Sequence, residues 1–136
     1  MKHNLKFYIC KHCGNLIDMV ADSSVKPVCC GEAMNEIVAN TVEASKEKHL
    51  PVVKKGCECE CGCTCKGCFV VEVGSVPHPM EEAHHIRFVY VETRNGAKRK
   101  YLSVGDAPKA GVCCCDDAPV AVYAYCNLHG LWKTAL

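Results

Sequence analysis

A chain of 136 residues with 16 Lys and Arg against 15 Asp and Glu has a formal net charge of +1, and no broad basic stripe interleaved with aromatics runs along it, which argues against nucleic acid as a partner. Hydrophobic residues make up 49%, but that figure counts 14 cysteines, so the aliphatic core is smaller than it looks. No segment approaches the ~20 apolar residues of a membrane helix, and the basic start MKHNLKFYIC lacks the apolar run of a signal peptide, so a cytoplasmic protein with no membrane partner is predicted. Thiols stay reduced in that compartment, and this many cysteines then indicates metal rather than disulfides.

The first predicted domain spans residues 1–39. Cys10-Lys11-His12-Cys13 is followed by the apolar LIDMV, a turn-like ADSSVKP and the pair Cys29-Cys30 before Gly31. Thirty-odd residues cannot bury a self-sufficient core, and such a module needs a staple. A Cys-x-x-Cys turn brings two thiolates to one metal, Gly14 lets the backbone curl its N–H groups toward the sulfurs, and the second pair completes a four-sulfur tetrahedron. Adjacent side chains of an extended chain point to opposite sides, so Cys29 and Cys30 can share an ion only where the backbone turns sharply. A structural zinc knuckle and a mononuclear iron centre fit this spacing equally.

The second predicted domain spans residues 40–136. NTVEASKEKHLP is polar, with a helical turn ahead of Pro51, and strand candidates follow in PVVKK, CFVVEVG, HIRFVYVET, AKRKYLSVG, AGVCC and VAVYAYC. Asn95-Gly96 supplies a hairpin turn. Alternation in IRFVYV puts Ile86, Phe88 and Tyr90 on one face and Arg87, Val89 and Val91 on the other. The prediction is a mostly β protein: a small metal module, then an antiparallel β-sandwich.

Histidines cluster in EKHLP, PHPMEEAHH and CNLHG, the last carrying Cys126-x-x-His129 directly after a strand. Each histidine alone reads as a surface or satisfied core residue. Together, His49, His78, His84, His129 and Cys126 make five donors, one more than a closed tetrahedral zinc site takes. Imidazole with one thiolate suits Fe, Cu or Zn, and five ligands on an octahedral metal leave one position for a small molecule.

CKHCGN with CCGEAM, KEKHLPV, VGSVPHPMEEAHHI and YCNLHGLWK together resemble desulfoferrodoxin, a two-iron superoxide reductase family, in order from about Phe7 to Lys133. The resemblance implies a desulforedoxin-like or rubredoxin-like N-terminal module with iron on Cys10, Cys13, Cys29 and Cys30. It also implies an immunoglobulin-like sandwich whose iron takes His49, His78, His84 and His129 equatorially and Cys126 axially. His85, next to His84, is the alternative ligand. Glu47 and Lys48 match the family's loop residues beside the open position. The implied reaction is one-electron, two-proton reduction of superoxide to hydrogen peroxide, with no release of O2. Lys48 would attract the anion and hold ordered water, and Glu47 would bind the ferric iron after product leaves. A rubredoxin-like electron donor and a homodimer come with the resemblance.

Two other classes compete. A copper electron carrier would want two His, one Cys and a weak axial Met, and Met80 sits awkwardly between two of the histidines. A metal-thiolate sequestering or sensing protein would rest on CECECGCTCKGC, six cysteines in residues 57–68, and on Cys113 to Cys115. Alternate cysteines on a flat strand stand ~6.8 Å apart, whereas two thiolates on one metal lie roughly 4 Å apart. The run therefore chelates only if Gly62 and Gly67 let it curl, and it is read as an exposed, thiol-rich insert, a redox-active or simply tolerated loop, with an additional metal site as the alternative. Trp132 and Tyr125 read as core packing, His3 and His12 as surface, and Ala97 to Lys100 as a solvated hairpin face or a dock for an acidic donor.

Overall fold

Three-residue strands are too short to stand alone, and the N-terminal part of the chain assembles its sheet from three of them. The computed structural model describes residues 4–56, 62 and 67–136, and the chain divides into two units, Met1–Thr41 and Val42–Leu136. In the first unit β1 (Phe7–Ile9) lies between β2 (Leu16–Asp18) and β5 (Asn35–Ile37), both antiparallel to it, and β3 (Val28–Cys29) pairs with β4 (Glu32–Ala33) as a separate ribbon. Among the described residues, Tyr8, Cys10 and Met34 form a small apolar cluster there, with Ile17, Met19 and Cys29 packed against it. Two of the six are cysteines of the predicted metal site, so this small core and that site are built together.

The second unit begins with one helical turn, α1 (Lys46–His49), which Pro51 follows closely. The strands are β6 (Pro51–Lys55), β7 (Cys68–Val73), β8 (Ile86–Thr93), β9 (Ala97–Tyr101), β10 (Lys109–Cys113), β11 (Pro119–Cys126) and β12 (Gly130–Ala135). They form two antiparallel sheets, in the orders β10-β7-β6 and β12-β11-β8-β9. Three strands against four, with β10 returning beside β7, is the Greek-key arrangement of an immunoglobulin-like sandwich. Val71, Val73, Val91 and Val122 have no exposed surface in the core between the sheets, and burying such a side chain contributes about 1.5–3 kcal/mol. The Asn95-Gly96 turn joins β8 to β9, whose solvated face carries the basic run. Five cysteines of the run, at 57, 59, 61, 63 and 65, lie outside the described residues.

Two readings of the sequence need correction. Gly130–Ala135, not among the predicted strands, is β12, paired along its length with β11. The alternation of IRFVYV fails at Arg87, because Tyr125 pairs with Phe88 while the next residue, Cys126, pairs with Ile86. Arg87 is the extra residue of a bulge. Ile86 consequently joins Val89 and Val91 in the core. Phe88 and Tyr90 instead pair with Tyr125 and Tyr123 on the opposite face, at ring separations of 5.4 and 6.0 Å.

Candidate metal centres

In the first unit the chain curls directly after β1. The N–H of Gly14, at φ 78°, donates to the Cys10 carbonyl at 2.9 Å. The backbone N–H groups of Cys13 and then His12 point at the Cys10 sulfur and, against its burial, pull its thiol down to about 6. The sharp turn required after Cys29 is present: Cys30 has φ 51° and Gly31 φ 74°. A left-handed non-glycine residue is strained by about 1–3 kcal/mol and persists where its surroundings enforce it. The sulfurs of Cys10, Cys13, Cys29 and Cys30 lie within 4.8 Å of one another, with Cys13 and Cys29 at 3.6 Å. The Asn15 amide donates to the Cys29 sulfur at 3.6 Å. Crowding pushes the Cys30 thiol up to about 12, through Cys13 first and then Cys10 and Cys29. Several thiolates in one place repel each other, and a bound cation removes that repulsion, so the donor set fits a metal. His12 is outside it, 2.6 Å from Glu32.

In the second unit four imidazoles stand at the corners of a square. Neighbouring ring centroids are 4.7 Å apart for His49–His78, 4.5 Å for His78–His84, 5.0 Å for His84–His129 and 4.8 Å for His129–His49, and the His49–His84 diagonal is 6.1 Å. The donor atoms of His49, His78, His84 and Cys126 all lie within 4.8 Å of one another. His129 Nδ1 is 3.0 Å from His49 Nε2 and 3.8 Å from the Cys126 sulfur. The thiol thus caps the square.

Backbone carbonyls set the tautomers. His49 Nδ1–H donates to the Ser45 carbonyl at 2.6 Å and His78 Nδ1–H to the Pro79 carbonyl at 2.7 Å. Each neutral ring then carries its lone pair on Nε2, and these two nitrogens face each other at 3.2 Å. Two acceptors cannot bond to one another, and a cation between them satisfies both. His84 Nε2 is buried with no hydrogen-bond partner among the described residues. Burial pushes His78 down to about 4 and lowers His49 and His84, so these rings are neutral donors at neutral pH. Burial raises the Cys126 thiol, partly offset by the backbone N–H groups of His129 and Leu128 aimed at its sulfur. The donor chemistry and the orphaned nitrogen together fit a metal ion.

His84 rather than His85 belongs to the cluster; the His85 ring bonds to the Glu81 carbonyl at 3.1 Å. Met80 is engaged elsewhere, its sulfur accepting the Ile86 N–H at 3.4 Å. Trp132 stacks on His49 at 4.9 Å and donates its indole N–H to the His129 carbonyl at 3.1 Å. Glu47 and Lys48 are exposed on α1, and the Lys48 charge helps lower His49 and His84. Sequence reasoning missed three supports. Asn127 ties the His84–His85 loop to the Cys126 loop, accepting the His85 N–H at 2.9 Å and donating to the Ala83 carbonyl at 3.0 Å. The Ser45 carbonyl orients His49, and Gly74 lets α1 approach the end of β7. Asn127 was the most accessible of the three, since it lies between two predicted ligands.

A β-sandwich with a four-imidazole, one-thiol cluster, joined to a separate four-cysteine unit, defines a protein with two metal-binding centres. Comparison with known proteins narrows this class. The desulfoferrodoxin family profile matches residues 41–135. Desulfoferrodoxins from Syntrophotalea carbinolica and Nitratidesulfovibrio vulgaris are 42% and 41% identical, each alignment covering 98% of this chain and 98% of the relative. The superoxide reductase of Treponema pallidum superposes with a TM-score of 0.76 at 34% identity, over 97% of this chain and 99% of that one. The chain belongs to the desulfoferrodoxin family. No helix among the described residues is long and apolar enough to cross a membrane.

Proposed function

We propose that the chain is a superoxide reductase: superoxide, one electron and two protons become hydrogen peroxide at an iron held by His49, His78, His84, His129 and Cys126. The square of four imidazoles capped by a buried thiol carries this reading, supported by the likeness to the Treponema pallidum enzyme. Iron bound there supplies a one-electron redox couple. The residues do the rest. Four imidazoles hold a cation without adding negative charge that would repel an anionic substrate. Cys126 brings the one negative charge, buried on the core side and stabilised by two backbone N–H groups. His84 and His129 are only partly buried, which leaves solvent access for anion and protons. Lys48 draws the anion in, and such local charge raises association roughly 10–10³-fold. Glu47, on the same turn, is a carboxylate able to occupy the metal after product leaves. Cys10, Cys13, Cys29 and Cys30 hold a second iron. A small rubredoxin-type donor, a homodimer and a cytoplasmic setting complete the proposal.

Stoichiometry tests it. With a reductant supplied, one peroxide should form per superoxide consumed, one electron should be taken from the reductant, and no O2 should appear. His49→Ala and Cys126→Ser should each abolish most turnover. Evolution of O2, or full turnover in both variants, would overturn the assignment.

A further inference from the structure

The cysteines at one corner of the sandwich belong to neither centre. β7 opens on Cys68 and β10 closes on Cys113, and the antiparallel register sets the two opposite each other. The Cys114 N–H donates to the Gly67 carbonyl at 3.0 Å. Residues 67 and 114 are therefore a hydrogen-bonded pair. Cys68 and Cys113 form the adjacent non-hydrogen-bonded pair, whose Cα atoms stand about 4.5 Å apart with their side chains close. Phe69, Val112 and Cys114 face the core, so alternation puts Cys68 and Cys113 on the other face. Cys115, at φ 51°, brings its sulfur to 3.5 Å from that of Cys113. Two thiolates on one metal lie roughly 4 Å apart, so this Cys-x-Cys pair already has the span of a chelate. The same device, a left-handed cysteine at a chain reversal, shapes the Cys29–Cys30 pair. Gly67 permits the approach: a Cβ there would stand 2.3 Å from the Cys115 carbonyl oxygen and 2.8 Å from its nitrogen. The Lys98 ammonium donates to the Cys113 carbonyl at the same end of β10.

We propose that Cys68, Cys113 and Cys115 form a third, all-thiolate metal site, selective for a thiophilic closed-shell cation, Zn(II) or Cu(I). Soft sulfur donors favour these ions over hard ones. Each ligating thiol gives its proton to solvent as the metal binds. Three thiolates satisfy Cu(I), and Zn(II) takes a fourth donor from water. The site is independent of the superoxide chemistry. It also differs from simple sequestration by the preceding run, because it is built on paired strands.

The test uses the full chain with both iron centres filled, kept reduced and anaerobic, and titrated with Zn(II) or with Cu(I) as its acetonitrile complex. Native mass spectrometry counts the added metal, and iron content and superoxide consumption are followed as controls. In one variant Cys57, Cys59, Cys61, Cys63 and Cys65 are all replaced by Ser. It should still take up one equivalent, and that metal should protect Cys68 and Cys115 from iodoacetamide. A second variant, Cys68→Ser with Cys113→Ser and Cys115→Ser, should bind one equivalent less than wild type with both irons retained. The proposal is overturned if the first variant binds no added metal or leaves Cys68 and Cys115 unprotected. It is equally overturned if the second binds as much as wild type. Should the second variant fail to fold, alkylation of the first decides alone.

Discussion

Gly74→Ala should damage the histidine centre without touching a ligand. Gly74 follows β7 at φ 85°, and an added methyl would stand 2.3 Å from the Val76 carbonyl oxygen, 2.7 Å from that of Lys48 and 2.8 Å from that of Glu47. Two of those oxygens belong to α1, whose last residue is His49. The same turn holds α1 by hydrogen bonds from Val76 N–H to the Glu47 carbonyl at 3.1 Å and from Gly74 N–H to the Leu50 carbonyl at 3.0 Å. Ordinary contact begins at 3.4 Å, so the carbonyls must retreat by 0.6 to 1.1 Å (3.4 less 2.8 and 3.4 less 2.3). Left-handed backbone costs an alanine about 1–2 kcal/mol, and overpacking adds about 1–3 kcal/mol, giving a loss of about 2–5 kcal/mol. A ligand shifted by about 1 Å also costs on the order of 10²-fold in rate. Gly105→Ala is the control, because Gly105 has φ 88° but no atom within 4 Å of the new methyl. It should lose only the backbone share and keep its iron. Urea unfolding gives the stabilities, metal analysis gives iron at the histidine centre, and pulse radiolysis gives the superoxide rate. If Gly74→Ala is no less stable than Gly105→Ala and retains full iron and rate, the packing argument fails.

Asn127→Ala removes both side-chain ties between the His84–His85 loop and the Cys126 loop. It should cost about 1–3 kcal/mol and speed iron loss to a chelator, whereas unchanged loss kinetics would show that the loops hold without it. Cys13→Ser should empty the four-cysteine centre, read by its thiolate absorption, while the direct reaction of the histidine centre with superoxide continues at near wild-type rate; a parallel loss of that reaction would contradict a separate site. Burial holds His78 at about 4 and lowers His49 and His84, all below the unfolded value of 6.5. Groups with depressed folded values bind fewer protons folded than unfolded. The stability they contribute is therefore present above about pH 6.5 and lost as pH falls toward 4. The melting temperature of the iron-free protein should drop across that window, and His78→Gln should flatten the drop; identical profiles for the two would refute neutral, buried rings.

The clustered donor residues were readable because a thiol or an imidazole announces its chemistry locally, and spacings such as Cys10-x-x-Cys13 and Cys126-x-x-His129 are covalent facts. The β-branched strands were readable for a similar reason. Features that arise only from pairing were not. GLWKTA carries no clean alternation, and it is a strand because β11 offers it six partners in register. Arg87 looks like one polar step in an alternating strand, and nothing in β8 itself announces the bulge; it appears only when β8 is aligned with β11. That bulge matters to the metal chemistry. On the core side Val122 pairs with Val91, Ala124 with Val89 and Cys126 with Ile86. Without the extra residue the step after Tyr125–Phe88 would set Arg87 against Cys126, a guanidinium beside the thiol. With it, Arg87 is exposed and Ile86, fully buried, lies opposite a cysteine that is itself fully buried. The thiol is then left to two backbone N–H groups. An unneutralised thiolate donates more charge to a bound ion than one paired with arginine, so under the proposed assignment the irregularity in β8 would make Cys126 the stronger ligand.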